Sequence, residues 1–473
     1  MLSPKQKVHF IGIGGIGTSA LSRWFLKQGW QVSGSDISSS SITQELKKQG
    51  VKVFIGCNAK NLSLKTNLVI YSGAVQSNNP EIKKAKKLGI LIKSYAQALG
   101  DLTRKYKTLA ITGTHGKTTT TGMLSLVLIK AGFDPTVIIG SKMKEFKENI
   151  NFRYGKKNYL AIEADEHLGS FLNYSPFAVI ITNIDKDHLD YYKNLINIKK
   201  SFLKMINNIQ KDGILIVNKD DKNLFDLRDK INKIVKKNKI NLFWYGAKIN
   251  PRLSKRVSAS LKVIGNHNLS NALGVYTLAK KLKIKEKDIL KALSDYSGSW
   301  RRMEYKGNMQ SDFLEKKLIV SIYDDYAHHP SEIKATLTAI AQKWPKKGLI
   351  CVFQPHQTKR LSLLFKDFTS AFFEANHLIL LDVFKVKGRE MIKNNEINNS
   401  VVKCYSSKDL FKVIQKKILN SQYKLKTVDY LPYPEKLCNN LLQIIKNSNY
   451  NSWVVIMMGA GDIYKLTDKL ISK

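Results

Sequence analysis

The sequence predicts an α/β protein of three domains: an N-terminal Rossmann-like domain, a central parallel sheet of the P-loop ATPase type, and a C-terminal Rossmann-like domain. Three observations carry this. Short apolar strands alternate with helical stretches along the whole chain, the pattern of layered, largely parallel sheets. A strand, a glycine-rich or polar turn and a helix recur as a fresh start at three places. The 473 residues also exceed what one core holds, at ~100–200 residues per domain.

The first series opens with a strand at Val8–Ile13, a glycine-rich turn and a helix near Ser19–Gln28. The second opens with Leu109–Thr112, a glycine loop and a helix over Thr118–Lys130, and continues through the apolar strands Tyr159–Ile162 and Ala178–Thr182. The third runs from Leu318–Tyr323 to a strand at Trp453–Met458 and the turn Gly459-Ala460-Gly461. Boundaries set at the restarts give 1–105, 106–297 and 298–473.

Composition removes several classes of protein. Hydrophobic residues at 43% and aromatics at 10% exclude wholesale disorder. No apolar run approaches the ~18–20 residues that span a bilayer, and the N-terminus enters a strand with no apolar targeting segment. Cys57, Cys351, Cys404 and Cys438 are scattered, with no C-x-x-C pair and no disulfide framework. A cytoplasmic protein is expected, a monomer or weak homodimer.

The net charge is +41, from 78 Lys+Arg against 37 Asp+Glu. Nucleic acid or an anionic membrane is one reading of that number. The lysine clusters, such as Lys83-Lys84-Ala85-Lys86-Lys87 and Lys233-Ile234-Val235-Lys236-Lys237, fall at helical spacing and lack the interleaved aromatics of a base-stacking platform. They read as solvated helix faces. Neither nucleic acid nor membrane is expected as a partner, although an anionic small substrate gains from the general field.

Four groups of residues carry chemistry. Gly12-Ile13-Gly14-Gly15-Ile16-Gly17 is a G-x-G-x-x-G between strand and helix, where backbone can approach a diphosphate. Asp36, near the end of a second strand, could meet a ribose hydroxyl. Thr112-Gly113-Thr114-His115-Gly116-Lys117-Thr118-Thr119 enters a helix after an apolar strand. Such a loop cradles phosphates with N–H groups and Lys117, while the Thr118 hydroxyl can ligate Mg²⁺. The spacing is not the common one, since Ile111 stands where the first glycine of G-x-x-x-x-G-K belongs.

Downstream, Glu163-Ala164-Asp165-Glu166 and Asn183-Ile184-Asp185-Lys186-Asp187-His188 follow strands, at the edge where α/β proteins bind ligands. Hard oxygen ligands there suit Mg²⁺; helix capping is the bland alternative. The remaining polar clusters are Gly265-Asn266-His267-Asn268-Leu269-Ser270-Asn271, Trp300-Arg301-Arg302, Asp324-Asp325-Tyr326-Ala327-His328-His329-Pro330 and Phe353-Gln354-Pro355-His356-Gln357-Thr358-Lys359-Arg360. Zinc is the obvious rival for His328-His329, but adjacent histidines in one turn cannot easily converge on one metal.

Taken in this order, G-T-H-G-K-T-T-T, E-A-D-E, D-H-L-D-Y, G-x-H-N-x-x-N-A, R-R, D-D-Y-x-H-H-P and F-Q-P-H resemble the Mur ligases of peptidoglycan synthesis, over nearly the whole chain from His9 to Asp462. The resemblance is greatest to the members that add L-alanine to UDP-N-acetylmuramate, a step of the cell-wall assembly on which cell shape and division depend. It implies that the first domain holds the UDP-sugar, with Gly12, Gly14, Gly15, Gly17, Asp36 and Ser72 nearby. ATP then lies on Gly113, Thr114, His115, Gly116, Lys117, Thr118 and Thr119, with His267, Asn268 and Asn271 at the adenine. Thr118, Glu163 and His188 are the implied Mg²⁺ ligands. Arg301 or Arg302 and Asp325 act from the C-terminal side, where Tyr326, His328, Gln357 and Arg360 take the amino acid.

The chain departs from the family pattern at several positions. Glu166 is followed by His167-Leu168 where Ser-Asp is usual, Gln357 stands where arginine commonly follows F-Q-P-H, and Cys57 replaces a histidine. The stretch from Tyr245 to Gly265 is short. Alternatives are the recycling ligase that joins a whole peptide to UDP-N-acetylmuramate, the same chemistry with another first amino acid, a nucleic-acid-associated nucleotide-binding protein, and a non-catalytic binding module.

Overall fold

The computed structural model describes residues 6–146, 150–309, 318–385, 403–419 and 422–471 and contains three sheets. The first is built from β1 (Lys7–Ile11), β2 (Gln31–Asp36), β3 (Lys52–Ile55), β4 (Leu68–Tyr71) and β5 (Leu91–Ser94), in the order β3-β2-β1-β4-β5. Every pairing is parallel. Strand order reverses between β1 and β4, and the crevice at such a reversal is where doubly wound sheets receive ligands.

The second sheet contains β6 (Lys107–Thr112), β7 (Thr136–Ile138), β8 (Phe152–Arg153), β9 (Tyr159–Glu163), β10 (Ala178–Ile181), β11 (Ile214–Asn218) and β12 (Asn241–Tyr245). Its order is β12-β11-β10-β6-β9-β7-β8, parallel except for β7 against β8. The strand β6 therefore lies between β10 and β9, so the loop leaving it is flanked by the C-terminal ends of both.

The third sheet comprises β13 (Glu304–Asn308), β14 (Ile319–Asp325), β15 (Gly348–Phe353), β16 (His377–Leu381), β17 (Thr427–Leu431) and β18 (Ser452–Met458), in the order β13-β14-β18-β15-β16-β17. Only β13 runs antiparallel to its neighbour. Side chains alternate between its two buried faces with the period of a strand. Cys351, Phe353, Val454 and Ile456 point into one core, and Ile350, Val352, Val455 and Met457 into the other. A strand buried on both faces reads as an unbroken apolar run, which is why Leu349–Phe353 and Trp453–Met458 are so hydrophobic.

The chain divides into two compact units. Met1–Lys186, Leu195–Lys262 and Ser270–Ser297 form one, which carries the first two sheets; Asp187–Asn194, Val263–Leu269 and Gly298–Lys473 form the other, which carries the third.

Several expected elements shift at their ends for identifiable reasons. β1 stops at Ile11 rather than Ile13, because Gly12 takes φ 77° and both Gly12 N–H and Ile13 N–H turn to the Ser35 carbonyl. The following helix, Ile16–Lys27, starts before Ser19, since Gly15 caps it. β14 extends past Tyr323 through Asp324 and Asp325, which pair with Met457 and Met458. The lysine clusters lie on the helices Pro80–Lys87 and Arg228–Asn238, with Lys83, Lys86, Lys87, Lys233, Lys236 and Lys237 exposed. Among the described residues, no helix is long and apolar enough to cross a membrane.

Close packing makes one glycine of β15 diagnostic of this fold. A β-carbon on Gly348 would stand 2.4–2.6 Å from three ring atoms of Trp453 on β18. Gly348→Ala is expected to cost about 1–3 kcal/mol through overpacking, read as a lower midpoint in thermal or urea unfolding. An unchanged midpoint would mean that the Trp453 ring has room to move aside.

Candidate active site

In the first unit the site grows from the end of β6. The chain leaves the sheet at Thr112, passes Gly113 and Gly116 at φ 136° and 82°, and enters the helix Lys117–Lys130. Neither glycine can be replaced without movement. A β-carbon on Gly113 would lie 2.0 Å from Thr182 Oγ1, and one on Gly116 would lie 2.5 Å from Asn271 Oδ1. The end of β10 holds the loop in place. Asn183 Oδ1 accepts from His115 N–H (2.8 Å), Thr182 Oγ1 donates to the His115 carbonyl (2.6 Å), and His115 Nε2 meets Asp185 Oδ2 at 3.2 Å. The helix thus presents its first N–H groups behind a rigid, curled backbone, the arrangement that binds phosphate.

Lys117 folds back over its own loop, donating to the carbonyls of Gly113 (2.8 Å) and Thr114 (3.2 Å). Its ammonium also meets Glu166 Oε2 at 2.8 Å and Asp165 Oδ1 at 3.5 Å. Burial alone would push the Lys117 pKa down, but Glu166, Asp165 and Glu163 outweigh it, and the ammonium is held charged. Burial raises the Glu166 carboxyl, with Lys117 opposing it. Beside this pair, Thr118 Oγ1 donates to the Glu163 carboxylate at 3.0–3.1 Å, and Gly140 N–H donates to Glu163 Oε2 at 2.9 Å. A hydroxyl and a carboxylate converging at the mouth of a phosphate loop are the hard oxygen donors that Mg²⁺ takes.

The glycine loop of the first sheet is shaped differently from a free dinucleotide turn. Asp36 Oδ2 accepts from Gly14 N–H at 2.8 Å, so this carboxylate braces the loop instead of standing free for a ribose hydroxyl. Gly17 is demanded by the ring of Tyr95, whose Cζ would lie 2.7 Å from a β-carbon there. Gly12 abuts Ser72, whose β-carbon would be 3.0 Å away. Gly12 and Ser72 therefore meet at the crevice between β1 and β4, whereas Gly14 lies against Asp36 and Thr43 and Gly17 serves the packing of its helix.

In the second unit Asp325 ends β14 with both oxygens engaged, Oδ1 by Ala327 N–H (2.7 Å) and Oδ2 by Met303 N–H (2.9 Å). Burial raises its carboxyl to about 6, against the pull of Arg302. Arg301 and Arg302 are used in opposite ways. Arg301 is 2% exposed and is spent internally on Asp324 Oδ2 (3.2 Å) and the carbonyls of Gly461 (2.9 Å) and Gly459. Arg302 instead lies over the Tyr326 ring, 5.2 Å from its centroid, and 3.8 Å from Glu332.

A histidine cluster adjoins them. His328 Nδ1–H donates to the Tyr326 carbonyl (3.0 Å) and stands 3.5 Å from Glu332 Oε2. Arg360 bridges His356 Nδ1 (3.4 Å) and Asp187 Oδ1 (3.3 Å). His188, at φ 50°, lies 3.7 Å from Asp187 Oδ2. Burial would raise Asp187, but Arg360 with His188, His328 and His329 hold its carboxyl well below the usual range. Burial and then Arg360 push His328 down to about 3, so a neutral imidazole faces this group. Gln357 takes φ 68° and precedes the short helix Thr358–Leu363. His267 and Asn268 lie in the first turn of the helix Asn266–Lys281, which also carries Asn271; Asn268 donates to the Ile264 carbonyl at 2.7 Å, and burial lowers His267 to about 4.

Four participants went unassigned at the sequence level. Glu166 and Asp187 sit inside quoted motifs, where an acid just after the C-terminal end of a strand was the available signal. Glu332 lies beyond the His-His-Pro turn, and Tyr95 has no local signal at all, because only tertiary packing brings it to Gly17.

Comparisons with known proteins bear on the family and the fold. Three family models match in sequence order: the Mur ligase family catalytic domain over residues 7–107, the Mur ligase middle domain over 111–279, and the Mur ligase glutamate ligase domain over 301–425. UDP-N-acetylmuramate–L-alanine ligases of Clostridium kluyveri and Clostridium botulinum are each 36% identical over 498 and 494 residues, covering 99% of this chain and 98% of theirs. The crystal structure of UDP-N-acetylmuramate–alanine ligase from Thermotoga maritima matches with a TM-score of 0.72 at 25% identity, covering 98% of both chains. A murein peptide ligase from Psychrobacter arcticus shares the fold, with a TM-score of 0.64 at 21% identity.

The lowered pKa of His328 has a signed consequence. A base protonated in the unfolded chain near 6.5 and in the fold only near 3 costs nothing above pH 6.5, and its stability contribution is lost as pH falls below that value. At pH 5 the loss amounts to about 2 kcal/mol. His328→Gln should therefore lose less stability than wild type between pH 7 and pH 5, measured by thermal melting; parallel curves would place a charged imidazole in the fold.

Proposed function

The chain belongs to the Mur ligase family, and we propose that it joins L-alanine to the lactyl carboxylate of UDP-N-acetylmuramate, with ATP giving ADP and phosphate, in the cytoplasmic assembly of peptidoglycan precursor. The observation that carries this reading is the Lys117 ammonium curled over its phosphate loop, beside the Thr118–Glu163 pair. The whole-length likeness to ligases of that name supports the substrate assignment.

The chemistry follows from what a carboxylate cannot do. Its leaving group in direct attack by an amine would be oxide, so it must first be activated. Transfer of the γ-phosphoryl group to the lactyl carboxylate gives an acyl phosphate and ADP. The neutral amine of alanine then adds to the acyl carbon, and the tetrahedral intermediate expels phosphate. Lys117 neutralises the crowded β- and γ-oxygens, and the loop N–H groups orient them for in-line transfer. Mg²⁺, held by Thr118 and Glu163 with His188 as ligand of a second ion, would supply further charge neutralisation.

The other residues take their roles from their environment. Residues 1–105 hold the UDP-sugar on Gly12, Gly14, Gly15 and Ser72, with Asp36 keeping the loop in shape. Residues 106–297 hold ATP on Gly113–Thr119, with His267, Asn268 and Asn271 at the adenine. Residues 298–473 bring the amino acid to Tyr326, His328, Gln357 and Arg360. Arg302 is the cation for developing phosphate charge, since Arg301 is committed to Asp324 and two carbonyls.

Phosphate release from ATP, Mg²⁺ and UDP-N-acetylmuramate should depend on L-alanine, and not on glycine, L-serine or L-alanyl-γ-D-glutamyl-diaminopimelate. Release with the tripeptide alone would move the protein to recycling. Lys117→Ala is expected to abolish turnover while leaving UDP-sugar binding by calorimetry intact. The partner it abandons can accept a proton, because the Glu166 carboxyl is already raised. Turnover near wild type in that variant would remove Lys117 from the phosphate site. Gln357→Arg should lower the KM for the amino acid by up to ~10-fold, if it restores one charge-assisted hydrogen bond worth ~1.5 kcal/mol. An unchanged KM would mean the carboxylate is held elsewhere, with Arg360 the first candidate.

A further inference from the structure

The segment after Glu166 holds a backbone conformation that folding alone does not reward. Leu168 sits at φ 54°, ψ 23° and Gly169 at φ 68°, ψ 18°. Gly169 adopts this left-handed region freely, but a leucine there is strained. The strain is not offset by burial. Leu168 is 44% exposed, while Phe171 in the same short helical segment is fully buried and packs edge-on against Phe202. A glycine or asparagine would fit this backbone better, and an exposed leucine adds nothing to the core.

What Leu168 has is its position. Its Cδ1 lies 3.8 Å from the point a β-carbon would take on Gly73. Gly73 follows Ser72, the residue that packs on Gly12 at the crevice between β1 and β4. In the other direction along the chain, Glu166 receives the Lys117 ammonium at 2.8 Å. Leu168 therefore stands on the short segment that runs from the carboxylate partner of the phosphate-loop cation to the glycine-loop crevice. Under the function proposed above, the sugar's lactyl carboxylate and the γ-phosphoryl group must meet beside that segment. The lactyl methyl is attached to the carbon that bears this carboxylate, so it is the apolar group nearest the reacting atoms.

We propose that Leu168 is a specificity-determining residue, whose exposed isobutyl group packs on the methyl of the acceptor's lactyl arm. The assignment rests on the reading of the protein as a UDP-N-acetylmuramate ligase. The left-handed backbone directs the side chain out of the fold and toward Gly73, whose missing side chain leaves room for the arm. The contact fixes the carboxylate by shape and keeps water from one side of it, which matters because an acyl phosphate is open to hydrolysis.

The test compares Leu168→Gly and Leu168→Asn, both at ease at positive φ, with the conservative Leu168→Met. Glycine and asparagine should raise the KM for UDP-N-acetylmuramate on the order of 10-fold, from the apolar area no longer covered. Methionine should stay within about twofold of wild type. The KM for ATP should not move, and neither small variant should melt below wild type, an outcome a merely structural leucine would not give. Inhibition by UDP-N-acetylglucosamine, which has no lactyl arm, should be the same in all four proteins. Unchanged KM values in an active set of variants, or inhibition that weakens in parallel with KM, overturns the role of Leu168 and leaves the ligase reading standing. Failure of the folded wild type to bind UDP-N-acetylmuramate in calorimetry overturns both.

Discussion

An ammonium fixed inside a curled loop needs a counter-charge before its anionic ligand arrives as well as after. Lys117 shows how this chain meets that constraint. Two carbonyls of its own loop and the buried carboxylate of Glu166 hold it over the cradle, and the loop is in turn clamped by Thr182, Asn183 and Asp185 from the neighbouring strand. Under the proposed function, a cradle braced by these side chains leaves little ordering to be done when phosphate enters. The glycines at 113 and 116 are consequences of the same crowding, since side-chain atoms of Thr182 and Asn271 occupy the space a β-carbon would need.

Much of this arrangement was legible in the residues themselves. A strand, a glycine turn and a lysine at a helix start are local signals, and the acids after β9 and β10 are placed by chain order alone. The three largely parallel sheets followed from alternation of strand and helix. What could not be read is what depends on distant chain. Asp36 looked like a ribose ligand because its position after β2 is the usual one, yet its oxygen is taken by Gly14. Gly17 looked like part of a diphosphate turn, yet the Tyr95 ring explains it. Strand ends moved by two residues at Ile11 and at Asp325 because backbone pairing, not hydrophobicity, decides where a strand stops.

The second unit shows the same division between what shapes and what acts. Two adjacent arginines are indistinguishable in sequence, but Arg301 and Met303 both take left-handed backbone, which sends Arg301 inward and leaves Arg302 over Tyr326. An interior guanidinium with a carboxylate and two carbonyls is a fixed joint between β14 and the turn after β18. Losing one partner of such a joint is costlier than the joint is valuable, because a lone buried charge remains. The lysines that dominate the net charge play no part in this. Those of the clusters at 83–87 and 233–237 mostly line helix faces and add to the long-range field, although Lys84 donates to the carbonyls of Ala59 and Leu62.

Under the proposed function, the Lys117–Glu166 pair would also tie nucleotide capture to hydrogen-ion concentration. Burial already raises the Glu166 carboxyl against the pull of Lys117, and phosphate oxygens that drew the ammonium away would raise it further. Each nucleotide bound would then draw a fraction of a proton from solvent. The heat of binding would accordingly vary with the ionisation enthalpy of the buffer, and apparent nucleotide affinity would slacken as the medium becomes more basic.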